Sequence, residues 1–393
     1  MIARSVPMTG APLLALLTVA AALGQLATSL YLPSFPDIRD SLATSLGSVQ
    51  ASLAIYYAGF ALGQVAVGPV ADWLGRKPVL VGGALTVAVG SLLCAAAPTI
   101  EVLIVGRLIQ ALGAAATQVA ARAIARDTFD GPALGRAMAT LAMAFALVPG
   151  FAPLIGGLID HAAGWRPVFL VPLLVALALA VSQTRLTESL PMVQPIGGVR
   201  GFFGRYRPVV TSFAYLRFAL VGALLFGGIA AFLAGTPTVM MDRIGVTAAE
   251  YGLYPAITIP GFFVGGLLVR RFSGRLDDLA LVRLALPLLL AGAVLMLMLP
   301  AMGLVARWTV VVPMALFVAG AGVAFPASSA GALRLFPHSA GAAAALLGAS
   351  AMATGAVAAT LVSLLPLDIT LAYGAVMLAS VALAAILALW PRR

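Results

Sequence analysis

The sequence predicts an all-α membrane protein: twelve transmembrane helices in two six-helix bundles, with both termini on the cytoplasmic side. Three observations carry that reading. Hydrophobic residues make up 62% of the 393-residue chain and charged ones only 9%, at a mean hydropathy of +1.09, whereas a soluble domain carries about 25% charge. Apolar runs of about 20 residues, the length of a bilayer-crossing helix, recur from end to end. Basic residues fall in alternate connections, as the positive-inside rule requires.

Composition also excludes classes. A net charge of +10 in a soluble chain points to nucleic acid. Here the bases are spread over loops instead of gathered on one face, so a lipid bilayer is the expected partner and nucleic acid is not. The single cysteine, Cys94, leaves no internal disulfide and no cysteine metal cluster. His161 and His338 have neither nucleophile nor metal-ligand spacing around them. No Walker A pattern occurs. An enzyme, a metal site, a cofactor and ATP-driven transport are therefore not expected.

The elements follow in order. The run at 12–32 starts like a secretory leader but continues through LATSLYLP, longer than a signal core needs, and reads as the first span. Runs at 48–70, 78–97, 102–125, 134–158 and 166–184 complete a first bundle, 1–184. Residues 185–208, RLTESLPMVQPIGGVRGFFGRYRP, have no sustained apolar period and read as a cytoplasmic linker. Runs at 209–236, 249–269, 280–300, 306–332, 340–363 and 369–390 make the second bundle, 209–393. With the N-terminus inside, 18 of the 23 lysines and arginines are cytoplasmic. Arg39, Arg166, Arg243 and Arg307 lie outside, and Arg107 lies within a span. DWLGR (72–76) and RFSGR (271–275) occupy equivalent loops of the two halves, a weak internal repeat of the kind parallel-repeat transporters show.

Polar residues inside spans need a reason. In the fourth, Arg107, Gln110 and Gln118 fall on one helical stripe with Ala114 between. Two readings stand: a snorkelling arginine with glutamines that bond neighbouring helices, or a water-filled, substrate-facing stripe. In the second span, Gln50, Tyr57 and Gln64 recur every seven residues with Ala54, Ala61 and Gly68 in the gaps. That pattern suits a cavity wall and a packing seam equally. In the fifth, Pro149 and Pro153 predict a kink, and Gly156 and Gly157 permit close helix approach. Ser29, Tyr31, Phe226 and Phe232 complete the expected cavity wall. The stretch GPVADWLGRKPVLVGG (68–83) places Asp72, Gly75, Arg76 and Lys77 between the second and third spans.

Several of these stretches resemble the major facilitator superfamily, and within it the Bcr/CflA-type drug-resistance exporters. YLPSFPDI (31–38) is similar to the signature closing that family's first helix, and residues 50–83 to its second helix and following loop. GRLIQALGAA (106–115), APLIGG (152–157), FPASSAGAL (325–333) and AGAAAALLG (340–348) resemble its fourth, fifth, tenth and eleventh helices. The resemblance implies a monomeric drug exporter of the bacterial inner membrane, working by alternating access and proton antiport on small amphipathic compounds. It also implies that Asp72, Gly75, Arg76 and Lys77 form a cytoplasmic latch between the halves, with Arg107 engaged in coupling.

One departure matters. Where many relatives carry an acid two residues before the tyrosine of YLP, this chain has Ser29, and none of its thirteen acidic residues falls in mid-membrane. Asp37, near the outer mouth, is the nearest substitute for a coupling carboxylate. The cavity is then expected to be net positive and to favour neutral or anionic compounds. The alternative is a dedicated exporter of a neutral or anionic native metabolite with different coupling. A channel lacks a charged ring or carbonyl-rich filter here.

Overall fold

The computed structural model describes residues 10–183, 186–190, 204, 206–272, 275–336 and 339–391. Among them there is no strand, and the principal elements are helices. The first six are α1 (Gly10–Ser29), α2 (Leu46–Leu74), α3 (Arg76–Ala95), α4 (Ile100–Thr128), α5 (Gly131–Ala163) and α6 (Leu170–Ser182). The second six are α7 (Phe213–Thr238), α8 (Leu253–Phe272), α9 (Asp278–Ala301), α10 (Arg307–Arg334), α11 (Ala340–Leu364) and α12 (Ile369–Leu389). Eleven are long and apolar enough to cross a membrane. The sixth apolar element, Arg166–Ser182, opens with the 3₁₀ turn Arg166–Phe169 and continues as α6.

Local chemistry sets the starts of these helices. The first N–H groups of a helix have no internal partner, and side-chain oxygens supply one. Ser45 accepts from the Ser48 N–H at 3.1 Å before α2, and Asp277 from the Ala280 N–H at 2.7 Å before α9. Thr247 and Glu250 form a reciprocal capping box on the short helix Ala248–Tyr251 that precedes α8. Pro237 removes a backbone donor near the end of α7, and the chain passes into a π turn over Val239–Arg243. The eighth expected span starts in the short helix Ala248–Tyr251 and continues past Gly252 into α8.

In the first six helices, α4 lies along α1, α2 and α3, while α1 also meets α5 and α6. In the second six, α7 touches α10, α11 and α12, and α10 also meets α8 and α9. The two sets meet along α2–α11 and α5–α8. One end of the molecule carries the α2–α3 turn at Gly75; the other carries the α1–α2 connection around Pro36.

The sets are tied together at the Pro36 end. Gly157 of α5 sits on the Ala248 carbonyl of the second set, and Gly156 on the Leu30 carbonyl of its own set, so close that any Cβ would overlap them. Arg39 pairs with Asp242 at 2.6 Å, and Gln50 Nε2 donates to the Ala234 carbonyl of α7 at 3.0 Å.

Candidate functional site: an uncharged cavity and two buried polar assemblies

A cavity of about 190 Å³ lies among α1, α5, α7, α8 and α10. Seven aromatic rings stand in its wall: Phe145 of α5, Phe226 and Phe232 of α7, Tyr251 before α8, Tyr254 and Phe262 of α8, and Phe325 of α10. Pro149 lines it from α5. No acidic or basic side chain is part of the lining. Two of its hydroxyls are committed to their own helices, Thr236 to the Phe232 carbonyl and Thr258 to the Pro255 carbonyl. Gln25 of α1 is the one amide in the wall and has no hydrogen-bond partner among the described residues. A guest here meets aromatic faces and a few neutral groups able to donate and accept, the Gln25 amide and the hydroxyls of Tyr251 and Tyr254 among them.

The expected cavity residues divide sharply. Phe226 and Phe232 line the cavity, whereas Ser29, Tyr31, Gln50, Tyr57, Gln64, Gln110 and Gln118 are buried in helix packing and do not line it. Arg107 is fully buried among α1, α2 and α4. Its guanidinium lies 4.1 Å from the ring centroids of both Tyr31 and Tyr56, and Nη1 donates to the Ala27 carbonyl at 2.9 Å and to Gln110 Oε1. Gln110 in turn donates to Ser91 Oγ of α3 at 2.7 Å. Two aromatic faces and two acceptors on Nη1 replace part of the water around this cation, while Nε and Nη2 are buried without a hydrogen-bond partner. The cavity therefore lacks the positive charge expected from Arg107.

The seven-residue stripe of α2 also faces protein. Tyr57 meets Phe226 edge-on, with ring centroids 5.6 Å apart, and Gln64 abuts Gly348 of α11. Asp37 is exposed at the Pro36 end, away from Arg107's packed surroundings.

At the opposite end, Arg76 organises a second assembly. It pairs with Asp72 at 2.6 Å and with Asp127, at the end of α4, at 3.2 Å. Glu188 caps α3: its two oxygens accept the backbone N–H groups of Arg76 and Lys77, each at 3.0 Å. A carboxylate at a helix N-terminus satisfies orphan donors and meets the positive end of the dipole. Gly75 has φ +99°, and a Cβ there would strike the Glu188 carboxylate at 2.6 Å, so the turn admits only glycine. Beyond Glu188, the Tyr206 hydroxyl donates to the Val65 carbonyl of α2 at 2.8 Å. The partners named for Arg76 all belong to the first 190 residues, so its bonds here are within one half.

Sequence reasoning missed Glu188, Asp127 and Gln25 as members of these sites. Gln25 had a signal, a lone amide one turn before Ser29 in an apolar span. Glu188 had none, because its partners are backbone groups 111 and 112 positions away.

Comparison with known proteins decides the family. The family model of the Major Facilitator Superfamily matches residues 17–360. The chain belongs to the Major Facilitator Superfamily. Multidrug resistance protein D of Escherichia coli (strain K12) is 31% identical over 90% of this chain and 89% of its own. The chloramphenicol resistance protein of Pseudomonas aeruginosa is 30% identical over 88% and 82%. Among solved structures, a POT family transporter in complex with 5-aminolevulinic acid shares the fold. Its TM-score is 0.78 over 98% of this chain and 97% of that one, at 13% identity. This superfamily member is thus a multi-pass membrane transporter and not an enzyme, and its similarity to named resistance proteins agrees with the motifs quoted above.

Proposed function

We propose that the protein is a secondary active exporter of small, neutral, amphipathic drug-like compounds. It works as a monomer in the bacterial inner membrane, by alternating access coupled to inward proton flow. In this reading all twelve helices span, both termini are cytoplasmic, and bundles 1–184 and 209–393 rock about a midplane site. The observation that carries it is the uncharged, ring-lined cavity built from both halves: Gln25, Phe145 and Pro149 from the first, Phe226, Phe232, Tyr254 and Phe325 from the second. Such a wall holds flat apolar bodies, and Gln25 orients a polar substituent. Similarity to proteins named for multidrug and chloramphenicol resistance supports the same substrate class. Asp72, Gly75, Arg76 and Lys77 act as the latch that biases the two access states.

A second reading keeps the transporter and changes the cargo to one native metabolite with different coupling. Ser29, in place of a mid-membrane acid, favours it. The test is compound accumulation in pump-deficient bacteria expressing the protein, with and without a protonophore. Lowered accumulation of chloramphenicol, abolished by the protonophore, is expected. Unchanged accumulation of every neutral, anionic and cationic compound, with the protein present in the membrane, refutes drug export and leaves the metabolite reading.

A further inference from the structure

Between described residues, the hydrogen bonds that run from one half of the chain to the other both lie toward the Pro36 end. Arg39 donates to Asp242, and Gln50 to the Ala234 carbonyl. The first is also an ion pair, 2.6 Å long. The other ion pairs between described residues stay within a half, those of Arg76 included. Toward the Gly75 end the halves touch without such a bond. Gln64 lies against Gly348 of α11 with its Oε1 buried and unpartnered, and the Arg126 guanidinium lies against Gly341.

Arg39 and Asp242 are each set in place by their own half. Asp40 accepts from Arg39 Nε at 2.7 Å and from Nη2 at 3.3 Å, which leaves Nη1 for Asp242. A guanidinium gripped at two nitrogens has little rotamer freedom left to lose when it meets a further acid. On the other side, Asp242 stands in the π turn Val239–Arg243 that follows Pro237. Its neighbour Arg243 is bound to Asp368 of the same half. The two opposite charges at 242 and 243 are thus parted, one toward each half. The side chains of Arg39 and Asp242 are 29% and 30% exposed, so the pair can separate into water without stranding a buried charge.

We propose that the Arg39–Asp242 pair is the lock of the Pro36 end: it holds the two halves together there, and opening of that end breaks it. The proposal rests on the alternating-access reading above. It adds, at the opposite end from the 72–77 latch, a charged contact that crosses between the halves. Parting the halves at the Gly75 end breaks no ion pair between described residues, so the protein at rest is biased toward opening at that end.

The test uses the full chain in nanodiscs, with Cys94→Ser and nitroxide labels at Ala162→Cys and Met302→Cys, exposed positions on the two halves at the Pro36 end. Electron-spin distances give the ratio of molecules open to closed at that end. Asp242→Asn or Arg39→Gln should raise it about two- to fivefold, the range for an ion pair in contact with water. The like-charge variants Arg39→Asp and Asp242→Arg should raise it further, and the two together should bring it back toward the parent's. In the parent, about 1 M KCl, where the Debye length is about 3 Å, should move the ratio in the same direction as Asp242→Asn. Asp278→Asn, which removes the Arg334 ion pair inside the second half, should leave it unchanged. A ratio unaltered by Asp242→Asn, including a single closed distance in every variant, overturns the lock. So does a doubly exchanged protein no more closed than its single variants. No substrate enters this measurement. A protein that exports nothing yet opens when the pair is broken refutes drug export alone; one that exports chloramphenicol while its ratio ignores the pair refutes the lock alone.

Discussion

Arg107 and the cavity are both interior to the same bundle of helices, and they are opposites. Around Arg107 polarity is concentrated and covered, with two tyrosine faces, a carbonyl and a glutamine against one cation that no water touches. Around the cavity, space is left open and polarity is sparse and neutral, with seven aromatic rings, the Gln25 amide and an unpartnered Tyr251 hydroxyl. A charge inside a membrane protein is usually taken as the mark of a pathway. Here it acts as a rivet between α1, α2 and α4, and the open space lies where the spans carry no charge.

The sharpest way to break this contrast is Arg107→Lys. An ammonium cannot stack flat between two rings or reach both acceptors, so the variant should lose about 3 kcal/mol of stability, the low end of the cost of breaking a buried charged contact. Its thermal midpoint in detergent should fall while chloramphenicol affinity in the surviving fraction stays near the parent's. A parent-like midpoint would show that Arg107 is not a rivet.

Glu188→Gln comes next. Weakening a charge-assisted cap on α3 should cost about 1 kcal/mol, seen as faster protease cleavage after residue 188. Unchanged cleavage would mean that Glu188 does not hold this segment down.

Gln25→Leu should do the reverse of Arg107→Lys. Stability should stay within about 0.5 kcal/mol of the parent, and binding of chloramphenicol should weaken about fivefold, one net hydrogen bond. Equal affinity would remove Gln25 from the site.

The smallest effect belongs to a pair that water already screens. Asp368 accepts from Arg243, which holds its carboxyl down to about 2. A depressed carboxylate stabilises the fold above its unfolded value, near pH 4, and that contribution disappears as pH falls toward about 2. Both side chains are more than a third exposed, so less than about 1 kcal/mol is at stake. Asp368→Asn should flatten that part of the acid-stability curve, and an unaltered curve would show the pair is inert.

Much of the architecture could be read in advance because bilayer length and apolar composition speak at the level of one segment. The all-helical class and the sites of most spans needed no tertiary knowledge. The sixth apolar run is present as Arg166–Ser182 and opens with the 3₁₀ turn Arg166–Phe169, which its composition did not announce. The candidate site was harder. Helical periodicity put Arg107 and Gln110 on one stripe, but it cannot tell whether that stripe meets water or two tyrosines from other helices. Phe226 and Phe232 were legible as aromatic wall; Gln25 was hidden by the weight given to Ser29, its neighbour on the same helix.

The segment between the halves reads in the sequence as a cytoplasmic linker of 24 residues, 185–208. The bonds from Glu188 to α3 and from Tyr206 to α2 fasten it to the first half near both of its ends. What remains to cross over to α7 is the stretch from Arg207 to Ser212, closer to a door hinge than a leash. A hinge that short restricts how far apart the halves can stray and about which axis they turn, so lengthening it by a few residues should loosen the stroke more than lengthening the chain between 191 and 203.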